Sequence, residues 1–151
     1  MAQKIICVDA NFVVFLVKAD SETSPFIVLW DEWQEQDCQI IAPTLFCYEV
    51  TNVFYRMSIA GQILPEEAQQ LLEDALNLGI ILYGDKTLYE RALSLAKNLN
   101  LPATYDAHYL ALAQQFNAEF YTADRRLFNS VKDTLSWIHL ITYINNNQSN
   151  S

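Results

Sequence analysis

Five short apolar runs separated by longer amphipathic segments constrain this chain more than any other feature. The runs are KIICV (4–8), CQIIA (38–42), IILY (80–83), AEFYT (118–122) and roughly SWIHLIT (136–142). Each has the length of a buried strand, and the segments between them repeat apolar residues at three and four, the period of a helix with one face on a core. Residues 11–19 begin a first helix after the first run, and Pro25 opens a second, with Phe26, Leu29, Trp30 and Trp33 as its stripe. Pro43 is expected to start a third, carrying Phe46, Val50, Val53, Phe54 and Met57 to a stop at Gly61. Pro65 starts a fourth, with Ala68, Leu71, Leu72, Ala75 and Leu76 inward and Gly79 beyond its end. Two more run over 88–99 and 106–116, broken apart at Pro102, and a short one passes through Arg125 and Phe128. The order is βααβααβααβαβ. Parallel neighbours need long crossovers, which helices supply, so the expected fold is a three-layer α/β/α with a mainly parallel central sheet of about five strands.

A chain of 151 residues can bury one respectable core but not two, which predicts a single domain over 1–144 and a polar, unfolded tail over 145–151. The longest uninterrupted apolar run, FVVFLV, has six residues and is followed by Lys18, far short of the roughly 18 to 20 that span a bilayer. Asp9 interrupts any signal-peptide core, so a cytoplasmic location and no membrane contact are expected. Cys7, Cys38 and Cys47 form no CxxC pair and sit on apolar segments, as small hydrophobes of a reducing compartment do. The formal net charge of −9 excludes a protein that gathers nucleic acid on a broad basic surface. A nucleic-acid substrate therefore needs local positive charge or a basic partner.

In parallel sheets ligands gather beyond the carboxyl ends of the strands, and acids stand at those ends. Asp9 closes the first strand and Asp124 lies two residues past Thr122, at the end of the fourth. Asp106 falls in the first turn of its helix, with Thr104 as a possible cap, and Glu49 lies nearly two turns into the helix expected from Pro43. Taken singly, each has an ordinary reading: Asp106 as a residue favoured by the helix dipole, Asp9 as a strand end, Glu49 as a solvated glutamate, Asp124 as an N-cap. Taken together they form a candidate cluster. Two carboxylates about 4 Å apart repel by roughly 4 kcal/mol at an effective dielectric near 20. No Lys or Arg lies within three residues of Asp9, Glu49 or Asp106, so a bound cation is the natural neutraliser and protonation the alternative. All-oxygen ligation points to Mg²⁺ or Mn²⁺ rather than Zn²⁺, and such ions hydrolyse phosphodiesters with one or two metals per site.

VDAN at 8–11, YEV around Glu49, YDAHYLALA around Asp106 and TADRRL around Asp124 resemble the PIN-domain ribonucleases, and most of all the VapC-type toxins among them. The resemblance spans nearly the whole chain. It implies a PIN-like fold, an Mg²⁺- or Mn²⁺-dependent endoribonuclease leaving 5′-phosphate and 3′-hydroxyl ends, and a metal site on Asp9, Glu49, Asp106 and Asp124. It further implies Asn11 and Thr122 as supporting polar residues, a cognate antitoxin as partner, and a homodimer. Relatives often carry Ser or Thr where this chain has Asn11.

Other residues carry less. Arg125 and Arg126, and more weakly Lys18 and Arg56, are candidates for holding RNA phosphates, or are ordinary surface charge. His108, two residues from Asp106 on a helix, is expected to face away from it, and His139 has no paired nucleophile. Tyr48, Tyr105 and Tyr109 suit base stacking but more often belong to a core. The competing function is a non-catalytic PIN-like module that binds RNA or protein. A phosphohydrolase of small esters is disfavoured, since three glycines make no phosphate loop.

Overall fold

The computed structural model describes residues 3–142, so the tail expected over 145–151 lies outside the described residues. The elements follow the expected order: β1 (Ile5–Val8), α1 (Ala10–Lys18), α2 (Pro25–Glu35), β2 (Gln39–Pro43), α3 (Leu45–Ile59), α4 (Pro65–Leu76), β3 (Ile81–Tyr83), α5 (Lys86–Asn98), α6 (Tyr105–Gln115), β4 (Glu119–Thr122), α7 (Arg125–Val131) and β5 (Ile138–Leu140). All five strands join one sheet, ordered β3-β2-β1-β4-β5, and every pairing is parallel.

Successive side chains of a strand point to opposite faces, and consecutive residues of β4 show what covers each. Phe120 meets Tyr109 of α6, with ring centroids 6.1 Å apart, whereas Tyr121 meets Trp33 of α2 at 4.8 Å. Cys7 of β1 lies on the α6 side too, its thiol reaching the Tyr109 carbonyl at 3.7 Å. Thus α6, backed by α5, covers one face and α1 with α2 the other, while α3 and α4 pack against α1. Ile6, Cys7 and Val8 are fully buried at the centre, as a strand covered on both faces requires.

Several local expectations are corrected. Pro43 ends β2 instead of opening α3, which starts at Leu45. The Thr44 N–H donates to the Tyr83 carbonyl at 2.9 Å, so an N–H at position 43 would point towards β1, whose pairing with β2 stops at Cys7 and Ile41. Proline therefore stands where no donor is needed. Leu76 is exposed, because Ala75 is the fully buried residue of α4. Thr104 precedes α6 without a side-chain cap bond. The last strand is shorter than its apolar run, Ile138–Leu140 only.

Chain order and sheet order together define a crevice. From β1 the chain builds outward through β2 to β3, then returns to lay β4 on the other side of β1. The connections leaving the ends of β1 and β4 diverge, and such a switch point is where parallel sheets offer room for a ligand.

Candidate functional site

Asp9 and Asp124 stand at that switch point, held there by one hydroxyl. Thr122, the buried last residue of β4, donates its Oγ1 hydrogen to Asp9 Oδ2 and accepts the backbone N–H of Asp124 at 2.9 Å. Asp9 Oδ1 accepts the Phe12 N–H at 2.8 Å, which makes Asp9 the N-cap of α1. Asp124 caps α7 in the same way, its Oδ1 accepting the N–H groups of Arg126 at 2.9 Å and Leu127 at 3.1 Å. The ordinary reading of Asp124 as an N-cap is thus correct, and its second oxygen still has no hydrogen-bond partner among the described residues.

Glu49 arrives from the second turn of α3 and Asp106 from the first turn of α6. The Tyr109 hydroxyl donates to Glu49 Oε1 at 2.6 Å, fixing its direction across the gap between the two helices. The four acids and Asn11 line one pocket of about 60 Å³, with Tyr109 in its wall. Asn11 makes no hydrogen bond to an acid among the described residues. The sequence did not single out Tyr109 as part of the site, although it lies three residues after Asp106, on the same side of the helix.

The acids are electrostatically unsettled. Asp9 is buried, and burial pushes its carboxyl up to about 7, with the fields of Asp106 and Asp124 adding to the rise and the Thr122 and Phe12 hydrogen bonds opposing it. Burial also raises Glu49, aided by Asp106 and opposed by the Tyr109 hydroxyl and His108. Asp106 rises through burial of its carboxyl and the nearby Asp124, offset by Arg126. The same burial, with Glu49 beside it, holds the proton on the Tyr109 phenol. The ion pairs among the described residues are Lys86–Glu90 and His139–Glu119, so no base neutralises any of the four acids at ion-pair distance.

An ion fits this donor set in kind: hard oxygens, surplus negative charge and no Cys or His on the pocket wall. Among the described residues no three His, Cys, Asp or Glu side chains are drawn into a closed cage. Lining one pocket does not require such a cage, since carboxylates turn about single bonds.

The remaining candidates scatter. Arg125 and Arg126 are exposed at the start of α7, and Arg126 is near enough for Asp106 to feel it. Lys18 lines a neighbouring apolar groove with Asn11 and Phe15, and Arg56 is an exposed residue of α3. His108 is outside the acid pocket, its Nδ1 against the Thr104 carbonyl at 2.6 Å. His139 pairs with Glu119 at 2.7 Å and stacks on Tyr121. Tyr109 is a core residue as expected, whereas Tyr48 and Tyr105 are exposed. Cys7 is buried, Cys38 and Cys47 are half-buried, and all three are free. No described helix is long and apolar enough to cross a membrane.

A family model for the PIN domain matches residues 6–133. No curated protein sequence matches the chain. Among solved structures, the chain is similar to PAE2754 from Pyrobaculum aerophilum, at 23% identity over 94% of this chain and 92% of that one, with a TM-score of 0.65. It is similar to a chain of VapBC2 from Rickettsia felis, bound to a DNA fragment from their promoter, at 14% identity over 93% and 99%, with a TM-score of 0.68. A toxin-antitoxin complex from Klebsiella pneumoniae contains a third, at 15% identity over 90% and 99%, with a TM-score of 0.55. At these identities the likeness is one of fold.

Proposed function

The chain belongs to the PIN-domain family, and on that premise we propose that it is a metal-dependent endoribonuclease hydrolysing phosphodiester bonds of single-stranded or looped RNA. One observation supports this above the rest: four acids from four separate segments line a single small pocket at the sheet's switch point, with no base at ion-pair distance from them among the described residues. Asp9, Glu49, Asp106 and Asp124 would hold Mg²⁺ or Mn²⁺, supported by Asn11 and Thr122. Such an ion, when bound, supplies a water of lowered pKa and stabilises charge developing on the phosphate.

The chain's own residues orient and select. Thr122 and the Phe12 N–H fix the Asp9 carboxylate, and Tyr109 aims Glu49. At about 60 Å³ the pocket is too small for a nucleotide, so the strand would lie across the mouth with one phosphate turned inward. Arg126, exposed at the start of α7 and near enough for Asp106 to feel it, would hold a phosphate oxygen by a charge-assisted contact. With a net charge of −9, the surface gives little other attraction for RNA.

The likeness to chains of toxin-antitoxin assemblies supports a further part of the proposal. The chain acts in the cytoplasm as the homodimeric toxin of a type II pair, restrained by a cognate antitoxin. Incubating the purified protein with unpaired and structured RNA, in Mg²⁺ or Mn²⁺ and in EDTA, tests the central claim. The expected result is metal-dependent cleavage leaving 5′-phosphate and 3′-hydroxyl ends. Asp9→Asn or Asp106→Asn should lower it by more than the roughly 10- to 100-fold that losing an outer-shell partner costs. RNA binding without cleavage, unaltered by either substitution, would favour a non-catalytic module.

A further inference from the structure

Next to the acid pocket lies an aromatic groove of about 190 Å³, walled by Tyr48, Tyr89, Tyr105 and His108 over a floor at Thr44. Its three tyrosines are 76%, 51% and 62% exposed, which places flat apolar rings in water where a core would have taken them. Tyr48 immediately precedes Glu49 on α3, and Tyr105 immediately precedes Asp106 at the start of α6. The two helices that carry carboxylates to one pocket therefore carry aromatic rings to the next.

We propose that this groove stacks one nucleobase of the RNA strand whose phosphate lies at the acids, an inference that rests on the nuclease reading above. No Lys or Arg lines the groove, so it suits a neutral π-face and not a phosphate. Its volume takes a single heterocycle and not a partner's helix. Two of the walls are held in place: His108 is tied to the Thr104 carbonyl, and the Tyr89 ring meets it at 5.9 Å, tilted by 59°. Glycine at position 84 lets Thr44 and Tyr89 keep their places in the groove, since a Cβ there would stand 2.6 Å from Thr44 Oγ1 and 3.1 Å from the Tyr89 hydroxyl. A base held in this way has left its own helix, so the substrate is unpaired at that nucleotide, and stacking tolerates any of the four bases.

The test is steady-state cleavage of an oligoribonucleotide and of copies in which single positions are abasic. For the unaltered protein, one abasic position flanking the cut should raise KM roughly tenfold, as loss of a base–aromatic stack does. The double variant Tyr48→Ala/Tyr105→Ala should raise KM on the intact strand by a similar factor with kcat within about twofold, the signature of lost uniform binding. It should lose nothing more on the abasic strand, and Tyr48→Phe/Tyr105→Phe should restore the intact-strand KM. Equal losses from the abasic gap in variant and unaltered protein would overturn the proposal. So would indifference to every abasic position, which would leave the groove to a protein partner. If the unaltered protein cleaves no intact RNA in Mg²⁺ or Mn²⁺, the nuclease reading itself falls and the groove proposal with it.

Discussion

Burying a carboxylate at a strand end is costly unless something neutralises it, and Asp9 is buried in the field of two other acids. Its folded pKa of about 7 lies above its ordinary value, so the native state binds this proton more tightly than the unfolded chain does. That preference stabilises the fold fully below the ordinary carboxylate range and is lost as pH rises through about 7. The metal-free protein in EDTA should therefore show a falling denaturation midpoint between about pH 4 and pH 7, with Glu49 and Asp106 contributing in the same direction. Asp9→Asn should flatten that slope and raise the midpoint at pH 8. A midpoint in EDTA that climbs over this range in the unaltered protein would count against a buried, uncompensated Asp9. At Tyr109 the expectation concerns direction more than charge. Tyr109→Phe keeps the ring against Phe120 but removes the hydroxyl from Glu49. It should weaken Mn²⁺ binding roughly 10- to 100-fold, as outer-shell losses do, while costing only about 1 kcal/mol of stability. Calorimetric titration reads the first quantity and urea unfolding the second.

Helix starts govern the site at the next scale. α1 and α7 begin on Asp9 and Asp124, so the same side chains cap a helix and face the pocket. By contrast α5 begins on Asp85, whose Oδ1 accepts the Leu88 N–H at 2.8 Å and which lines neither the acid pocket nor the aromatic groove. Asp85→Ala should cost about 1 kcal/mol in urea unfolding and leave RNA cleavage unchanged. Lost cleavage in a folded Asp85→Ala protein would show that the site depends on α5 more than its geometry implies. The order of all twelve elements was legible because strand and helix periods differ and each crossover is long enough to be read on its own. The boundary at Pro43 was not, since a proline reads as a helix opener unless the neighbouring strand is known to have stopped pairing. The meeting of Asp9 and Asp124 at one rim was legible because a strand end fixes where they project, whereas Thr122 entered only through the family resemblance. Tyr109 was hidden because a buried phenol looks like core until its one partner, Glu49, is placed by a contact between residues 60 positions apart. The exposure of Tyr48 and Tyr105 was equally hidden, because helical spacing alone does not say which rings a neighbouring element covers.

Across the whole molecule, an ion at the acid pocket would join the ends of β1 and β4 to α3 and α6, in a chain whose three cysteines are all free. A ligand that binds only the native state adds about 2.7 kcal/mol at a hundred times its Kd, and in a domain of this size each kcal/mol moves the thermal midpoint by roughly 2–4 °C. Saturating Mn²⁺ at pH 8 should therefore raise the midpoint by about 5–10 °C. Mere screening makes a different prediction: a surface with a net charge of −9 also gains from any salt, because counter-ions relieve its self-repulsion. NaCl at matched ionic strength separates the two, because screening depends on ionic strength and chelation on the identity of the ion. Asp106→Asn sharpens the comparison: it removes one unit of the crowded charge, so its metal-free midpoint should rise, and it removes a ligand, so its response to Mn²⁺ should shrink to that of NaCl. If NaCl reproduces the full stabilisation in the unaltered protein, the four acids are a tolerated cluster of charge and the ion has no site there.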